Sequence, residues 1–356
     1  MTRHLLVALT GHGYGHAAQT APVVAALRAL RPELRITLRC NLAPTLLAIF
    51  FPDVDSVTTP TADFGVPMRS AIDVDAAAAE RAFTSLHQRF ASAVAAESEA
   101  LVRLRSDLVL ANVGYVPIAA AARAGIPAIG FSSLNWLGIV RAYAAAWHDA
   151  DAILADMAAS YRAARRFIRP TPAMAMPDLD TVQVGPVARR GVRRRAELAK
   201  RLGLAAGERV VLISLGGIDT SLDLAVWPAV PGLRYVVAGL APPPRSDMAA
   251  LHALGISHID CLASCDAVLT KPGYGTLVEA ACHAIPTLFV RRGVWPEEPA
   301  LVDWLVAYGT AREISRAALE CGALAPELSA LWTMTPRQAV SPTGNDAAAR
   351  LIAEYL

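Results

Sequence analysis

No apolar run in this 356-residue chain approaches the ~18 residues or more that a membrane-crossing helix needs. The opening "LLVALT" stops at Gly11, too soon even for a secretion signal, so no targeting segment is expected and the expected compartment is the cytoplasm. An excess of one charge is lacking too. With 33 basic and 31 acidic residues the formal net charge is +2, too weak a field to gather nucleic acid or an anionic membrane surface. Cysteines are few, odd in number and scattered, at 40, 261, 265, 282 and 321, which argues against a disulfide framework. Cys261 and Cys265 have no second Cys or His pair at zinc spacing, so packed thiols are expected there and no metal. Repeats and low-complexity segments are also missing, apart from an alanine enrichment that suits helices.

What the chain does have is 54% apolar content in a regular rhythm. "LLVALT", "RITLRC", "DLVLANV", "AIGFSS", "AILAD" and "VQVGPV" read as strands, and stretches such as "AAQTAPVVAALRAL" between them have helical spacing. A second series, "RVVLISLGG", "LRYVVAG", "AVLTKPG", "PTLFVRR" and "TAREIS", repeats the alternation. Such alternation builds parallel sheets covered on both faces, here two doubly wound halves. Gly185 and Pro186 mark the boundary, giving domains 1–186 and 187–342, with a final helix at 343–356, capped by Asn345 or Asp346, that could pack back on the first domain. The basic cluster "ARRGVRRRAELAKR" at 188–201 reads first as a solvated linker or helix face and second as a phosphate or lipid contact.

Two glycine-rich segments carry the chemistry. "GHGYGH", residues 11–16, follows the first strand; Gly11, Gly13 and Gly15 allow a tight turn, and His12 and His16 bring groups that titrate near neutrality. "KPGYGT", residues 271–276, joins a strand to a helix, a form that offers backbone N–H groups and a positive helix end to an anion. An ordinary strand-turn-helix would use the same glycines. The segment is neither a P-loop nor a dinucleotide fingerprint, since it lacks Gly-Lys-Ser/Thr and G-x-G-x-x-G. Ligands of open parallel sheets bind at the strands' carboxyl ends, so a cleft between the halves is the expected site. "DVD" at 53–55 and at 73–75 lies in loop-like sequence away from that cleft, and no obligatory metal is expected.

The stretch "SCDAVLTKPGYGTLVEAACHAIPTLFVRR", 264–292, resembles the donor half of GT-B glycosyltransferases, especially family 28. "ALTGHGYGHAAQ", "FSSLNWLGIVRAY" and "FVRRGVWPEEPALVDWL" look like segments of the glycosyltransferase-like domain of plant L-arabinokinases, without the kinase half. The resemblance spans the chain and implies a GT-B fold of two Rossmann-like domains facing a central cleft. It implies that Gly273, Gly275 and Thr276 hold the diphosphate of a nucleotide sugar, with Lys271 and Tyr274 in the same turn, and that Glu279 binds the ribose of UDP. His16 matches a donor-facing histidine of the related peptidoglycan-precursor enzymes, and His12 could touch phosphate or share the role of base. Glu297 and Glu298 fall where relatives bind sugar hydroxyls, or else form an acidic helix start. Gly216 and Gly217 would admit the donor, or simply turn the strand; Arg291 and Arg292 could neutralise diphosphate, or lie on the surface.

The activity implied is transfer of a hexose or N-acetylhexosamine from a UDP-linked sugar to an unidentified acceptor, with inversion and with no cofactor beyond the sugar nucleotide. Asn135 and Trp136 are weak acceptor candidates that could equally be buried, and the loop at 58–75 could shape an acceptor pocket. A non-catalytic sugar-nucleotide module and a nucleotide-sugar 2-epimerase are the alternatives. An apolar patch beside Arg165, Arg166 and Arg169 would favour a lipid-linked acceptor and peripheral membrane contact.

Overall fold

The computed structural model describes residues 3–62, 65–218 and 222–356. Within the 58–75 loop, Asp63 and Phe64 lie outside the described residues.

Strands β1 (His4–Leu9), β2 (Arg35–Arg39), β3 (Ser56–Thr58), β4 (Leu108–Asn112), β5 (Ala128–Phe131), β6 (Arg166–Pro170) and β7 (Thr181–Val184) form one sheet. A second holds β8 (Arg209–Ser214), β9 (Leu233–Ala238), β10 (Met248–Ala250), β11 (Ala267–Thr270), β12 (Thr287–Val290) and β13 (Ala311–Ile314). Their orders are β3-β2-β1-β4-β5-β6-β7 and β10-β9-β8-β11-β12-β13, and every pairing is parallel. β1, β4, β5, β11 and β12 are buried along their whole length, as strands covered on both faces must be. In each sheet the first strand of the series, β1 or β8, lies inside the sheet, and the strand order reverses beside it. That is a topological switch point, and the two glycine-bearing loops after β1 and β8 occupy corresponding places.

Two sequence expectations are corrected here. "AILAD" is not a strand but part of the helix Ala150–Arg162, because Ile153, Met157 and Tyr161 are buried at a spacing of four residues. The strand is instead β6, in the arginine-bearing "RRFIRP". There Arg166 pairs with Asp180 at 3.5 Å and Arg169 donates to the Met174 carbonyl at 3.2 Å. Among the described residues no large apolar side chain between 150 and 190 is exposed.

The final helix, Gly344–Ala353, begins after Thr343 with no side-chain cap, so neither Asn345 nor Asp346 is its N-cap. Asn345 instead accepts from the Ala188 N–H at 3.1 Å and donates to its carbonyl at 2.9 Å, tying the helix to the segment that links the halves. The chain passes so close here that a Cβ on Gly344 would lie 2.0 Å from the Gly185 carbonyl oxygen. Ala348, Ala349 and Ile352 of this helix join the core of the first sheet, together with Ala17, Ala21 and Val24 of the helix Gly15–Leu30 and Leu277, Val278 and Ala281 of the helix Tyr274–Cys282. The halves are thus packed together where helices from both approach the cleft.

Candidate active site

A cavity of about 520 Å³ opens between the carboxyl ends of the two sheets. It brings together His12, Gly13, Gly15 and His16 from the first half with Gly216, Gly217, Lys271, Gly273, Tyr274, Gly275, Thr276 and Glu297 from the second.

His16 stands in the first turn of the helix Gly15–Leu30 and is buried. Its Nδ1 lies 2.9 Å from Asn112 Oδ1 at the end of β4. Desolvation, reinforced by the Lys271 charge, lowers its pKa to about 4 even though the Asn112 hydrogen bond acts the other way. His12 is lowered further, to about 3, by desolvation and then by His16, Lys271 and Arg292. Trp136 packs its ring edgewise against both, with centroids 5.5 Å from His12 and 5.7 Å from His16. At neutral pH both imidazoles are therefore uncharged.

The opposite wall is cationic. β11 ends at Thr270, and the chain turns through Lys271 and Gly273 into the helix Tyr274–Cys282, whose N-cap is the extended Gly273. The Lys271 pKa is pushed well below its ordinary value by desolvation and by the Arg292 charge, with Glu297 opposing. Arg292 is lowered by desolvation against the pull of Glu297, Glu298 and Tyr143; it donates to the Pro272 carbonyl and lies 4.6 Å over the Trp295 ring. Two basic side chains crowded beside a helix N-terminus favour an anion.

Other expected residues lie elsewhere. Glu279 does not face the cavity; it is buried behind Arg189, which it pairs at 2.6 and 3.2 Å. Arg291 is exposed and bonded to Glu313 at 2.9 Å, so of this pair it is Arg292 that lines the cavity. Glu298 is buried and accepts from the Arg292 N–H at 2.8 Å, and desolvation raises its pKa. Asn135 caps the helix Trp136–Arg141 by accepting from Gly138 N–H at 2.7 Å, and Trp136 is buried behind the histidines, so neither lines the cavity. Gly11 is exposed outside the cavity. Tyr274 reaches it, but its hydroxyl donates to the Thr171 carbonyl and accepts from Val187 N–H, both at 3.0 Å. Of the "DVD" carboxylates, Asp55 pairs with Arg28 at 2.6 Å, Asp73 reaches Arg316 of the second half at 2.7 Å, and Asp75 caps the helix Ala76–His87.

Among the wall residues that had no place in the sequence reading of the site are Tyr14, Gln19, Ser133, Arg189, Ser214 and His258. Ser214 and Tyr14 adjoin the glycines already singled out, so adjacency could have found them. Arg189 belongs to the basic cluster at 188–201; it lies 4.5 Å over the Phe50 ring. His258, 2.9 Å from Ser214 Oγ, sits in no motif.

No family model matches the chain. L-arabinokinase of Arabidopsis thaliana is 30% identical over 368 residues, an alignment covering 99% of this chain and 34% of that protein, so the chain spans about a third of this curated relative. Among solved structures, the kitacinnamycin glycosyltransferase superposes with a TM-score of 0.61 at 20% identity, covering 100% of this chain and 99% of the other. A UDP-glucosyltransferase from Polygonum tinctorium capable of glucosylating indoxyl gives 0.64 at 13% identity, covering 100% and 98%.

Proposed function

We propose, from the GT-B fold that this chain has in common with those glycosyltransferases, that it transfers a sugar from a UDP-linked donor to an acceptor hydroxyl with inversion. The observation that carries the reading is that neutral His16 of one half and the basic side chains Lys271 and Arg292 of the other face one cavity. His16 takes the acceptor's proton as its oxygen attacks the anomeric carbon from the face opposite the diphosphate. The bond from that carbon to the diphosphate oxygen breaks, and its electron pair leaves with UDP. Lys271, Arg292 and the N-terminus of the helix Tyr274–Cys282 bind the developing charge. These groups supply the countercharge without a divalent ion.

Calorimetric titration with UDP, GDP, dTDP and UDP-sugars, with and without chelator, tests the donor site. Selective UDP binding that survives chelation is expected, and a folded protein that binds no nucleotide would remove the reading. His16→Ala should then lower turnover by about 100-fold or more while UDP affinity holds. The alignment with one third of a longer L-arabinokinase favours a second reading, a sugar-nucleotide module without turnover, which UDP binding with no transfer to any acceptor would select.

A further inference from the structure

A row of buried side chains links His16 to Glu297 across the two halves. His16 Nδ1 meets Asn112 Oδ1 at 2.9 Å, Asn112 Nδ2 meets Gln19 Oε1 at 3.1 Å, Gln19 Nε2 meets Ser133 Oγ at 2.9 Å, and Ser133 Oγ meets Glu297 Oε1 at 2.6 Å. His16, Gln19, Asn112, Ser133 and Glu297 are each less than a tenth exposed, which strengthens these bonds.

The direction of every link follows from the carboxylate. Both Glu297 oxygens receive a donor, Ser133 on Oε1 and the Trp295 indole N–H at 3.2 Å on Oε2. With both carboxylate oxygens accepting, the Ser133 hydroxyl spends its one proton on Glu297 and must accept from Gln19. Gln19 therefore turns its NH₂ to Ser133 and its carbonyl to Asn112. Asn112 then turns its NH₂ to Gln19, and also to Thr20 Oγ1 at 2.8 Å, leaving its carbonyl for His16. The His16 nitrogen facing that carbonyl has to carry the proton.

We propose that Glu297 is a positioning residue for His16, holding the imidazole proton on Nδ1 through Ser133, Gln19 and Asn112 and so leaving the lone pair on Nε2. This rests on the reading of His16 as the acceptor's base. A histidine with its proton on Nε2 could not take a proton there, so the tautomer is a condition of the base role. The Ser133–Glu297 bond joins residues of opposite halves, so parting them cuts the row at its anchored end. The base is set in its working tautomer when the donor half is docked.

The test is the nitrogen-15 and proton spectrum of the His16 ring in the full-length, substrate-free protein at neutral pH. The wild type is expected to show the Nδ1–H tautomer alone. Ser133→Ala, which removes the link but not the charge, is expected to admit the Nε2–H tautomer, and Ser133→Thr, which keeps the hydroxyl, to restore the wild-type spectrum. A wild-type ring protonated on Nε2 would overturn the proposal without any variant, as would an unchanged tautomer in Ser133→Ala. Since the readout needs no turnover, it separates the two readings. An unmoved tautomer beside an inactive His16→Ala would sink the positioning role and spare the base.

Discussion

Tyr14, in the loop after β1, lies against the backbone of Gly217, in the loop after β8: a Cβ placed on residue 217 would fall 2.6 Å from Tyr14 Cδ1. The loops at the two topological switch points therefore touch across the cavity, and glycine at 217 is required by close approach. The adjacent Gly216 has φ +94°, which a side chain would oppose, so the turn is restricted on both counts.

Gly217→Ala is accordingly expected to push the half-exposed Tyr14 ring aside and shift the loop over the cavity. UDP affinity should fall about tenfold, roughly 1.4 kcal/mol, while Tm changes little, because Tyr14 contributes little to the core. Calorimetry and thermal melting read the two effects separately; unchanged affinity would mean that the Tyr14 contact has no part in binding.

Asn112 gives His16 a neutral partner, and the imidazole titrates at about 4. The profile of kcat/KM for the wild type should therefore be level from pH 8 down to about 5, with loss only near the His16 pKa. Asn112→Asp would set an anion beside Nδ1 and favour the imidazolium. The acid limb should then move upward by about 1–3 pH units. A limb that stays in place would separate the pH dependence from His16.

The low values for His12 and His16, about 3 and about 4 against an ordinary 6.5, also bear on stability. The unfolded chain takes up these protons near pH 6.5, whereas the folded protein does so only near 4 and 3. Their contribution is therefore complete above about pH 6.5 and is lost as pH falls toward those folded values. Tm should drop between pH 7 and pH 5, and drop less in His16→Gln; equal slopes in wild type and variant would contradict the assignment.

How far the site could be read from the sequence depended on whether its residues sat in regular elements. β8, β9, β11 and β12 were legible because each is a short, largely apolar run closely followed by glycine or a charged residue. β3 and β10, with three residues each, left no periodic signal. The run "AILAD" was ambiguous on its own, and only its burial over thirteen residues shows the helix. Lys271, one of two lysines in the chain, stood out beside the glycines. Glu279 was placed on the right helix, but its pairing depends on Arg189, ninety positions earlier, which helical spacing cannot reveal. The row from His16 to Glu297 is assembled from five separate positions, and no local pattern announces it.

Lys271 has its pKa pushed well down by desolvation and by Arg292. A diphosphate beside it would favour the charged amine, so UDP binding should draw protons from solution above neutral pH. Calorimetry at pH 8.5 in buffers of different ionisation enthalpy is expected to show net uptake, diminished in Lys271→Met. Binding with no proton uptake would place the phosphates away from this lysine.

Tyr274 separates a structural from a ligand-binding role in the glycine-rich turn. Its hydroxyl accepts from Val187 N–H and donates to the Thr171 carbonyl, both at 3.0 Å, and Val187 is buried in the segment linking the halves. Tyr274→Phe keeps the ring but strands a buried N–H, a loss of about 1–3 kcal/mol. The urea midpoint should fall with the m-value unchanged, since the same surface is exposed on unfolding. UDP affinity should stay within about twofold of wild type, because the hydroxyl is already committed to backbone on both sides. The opposite pattern, an unchanged midpoint with weakened UDP binding, would return Tyr274 to the donor-binding set that its sequence position suggests.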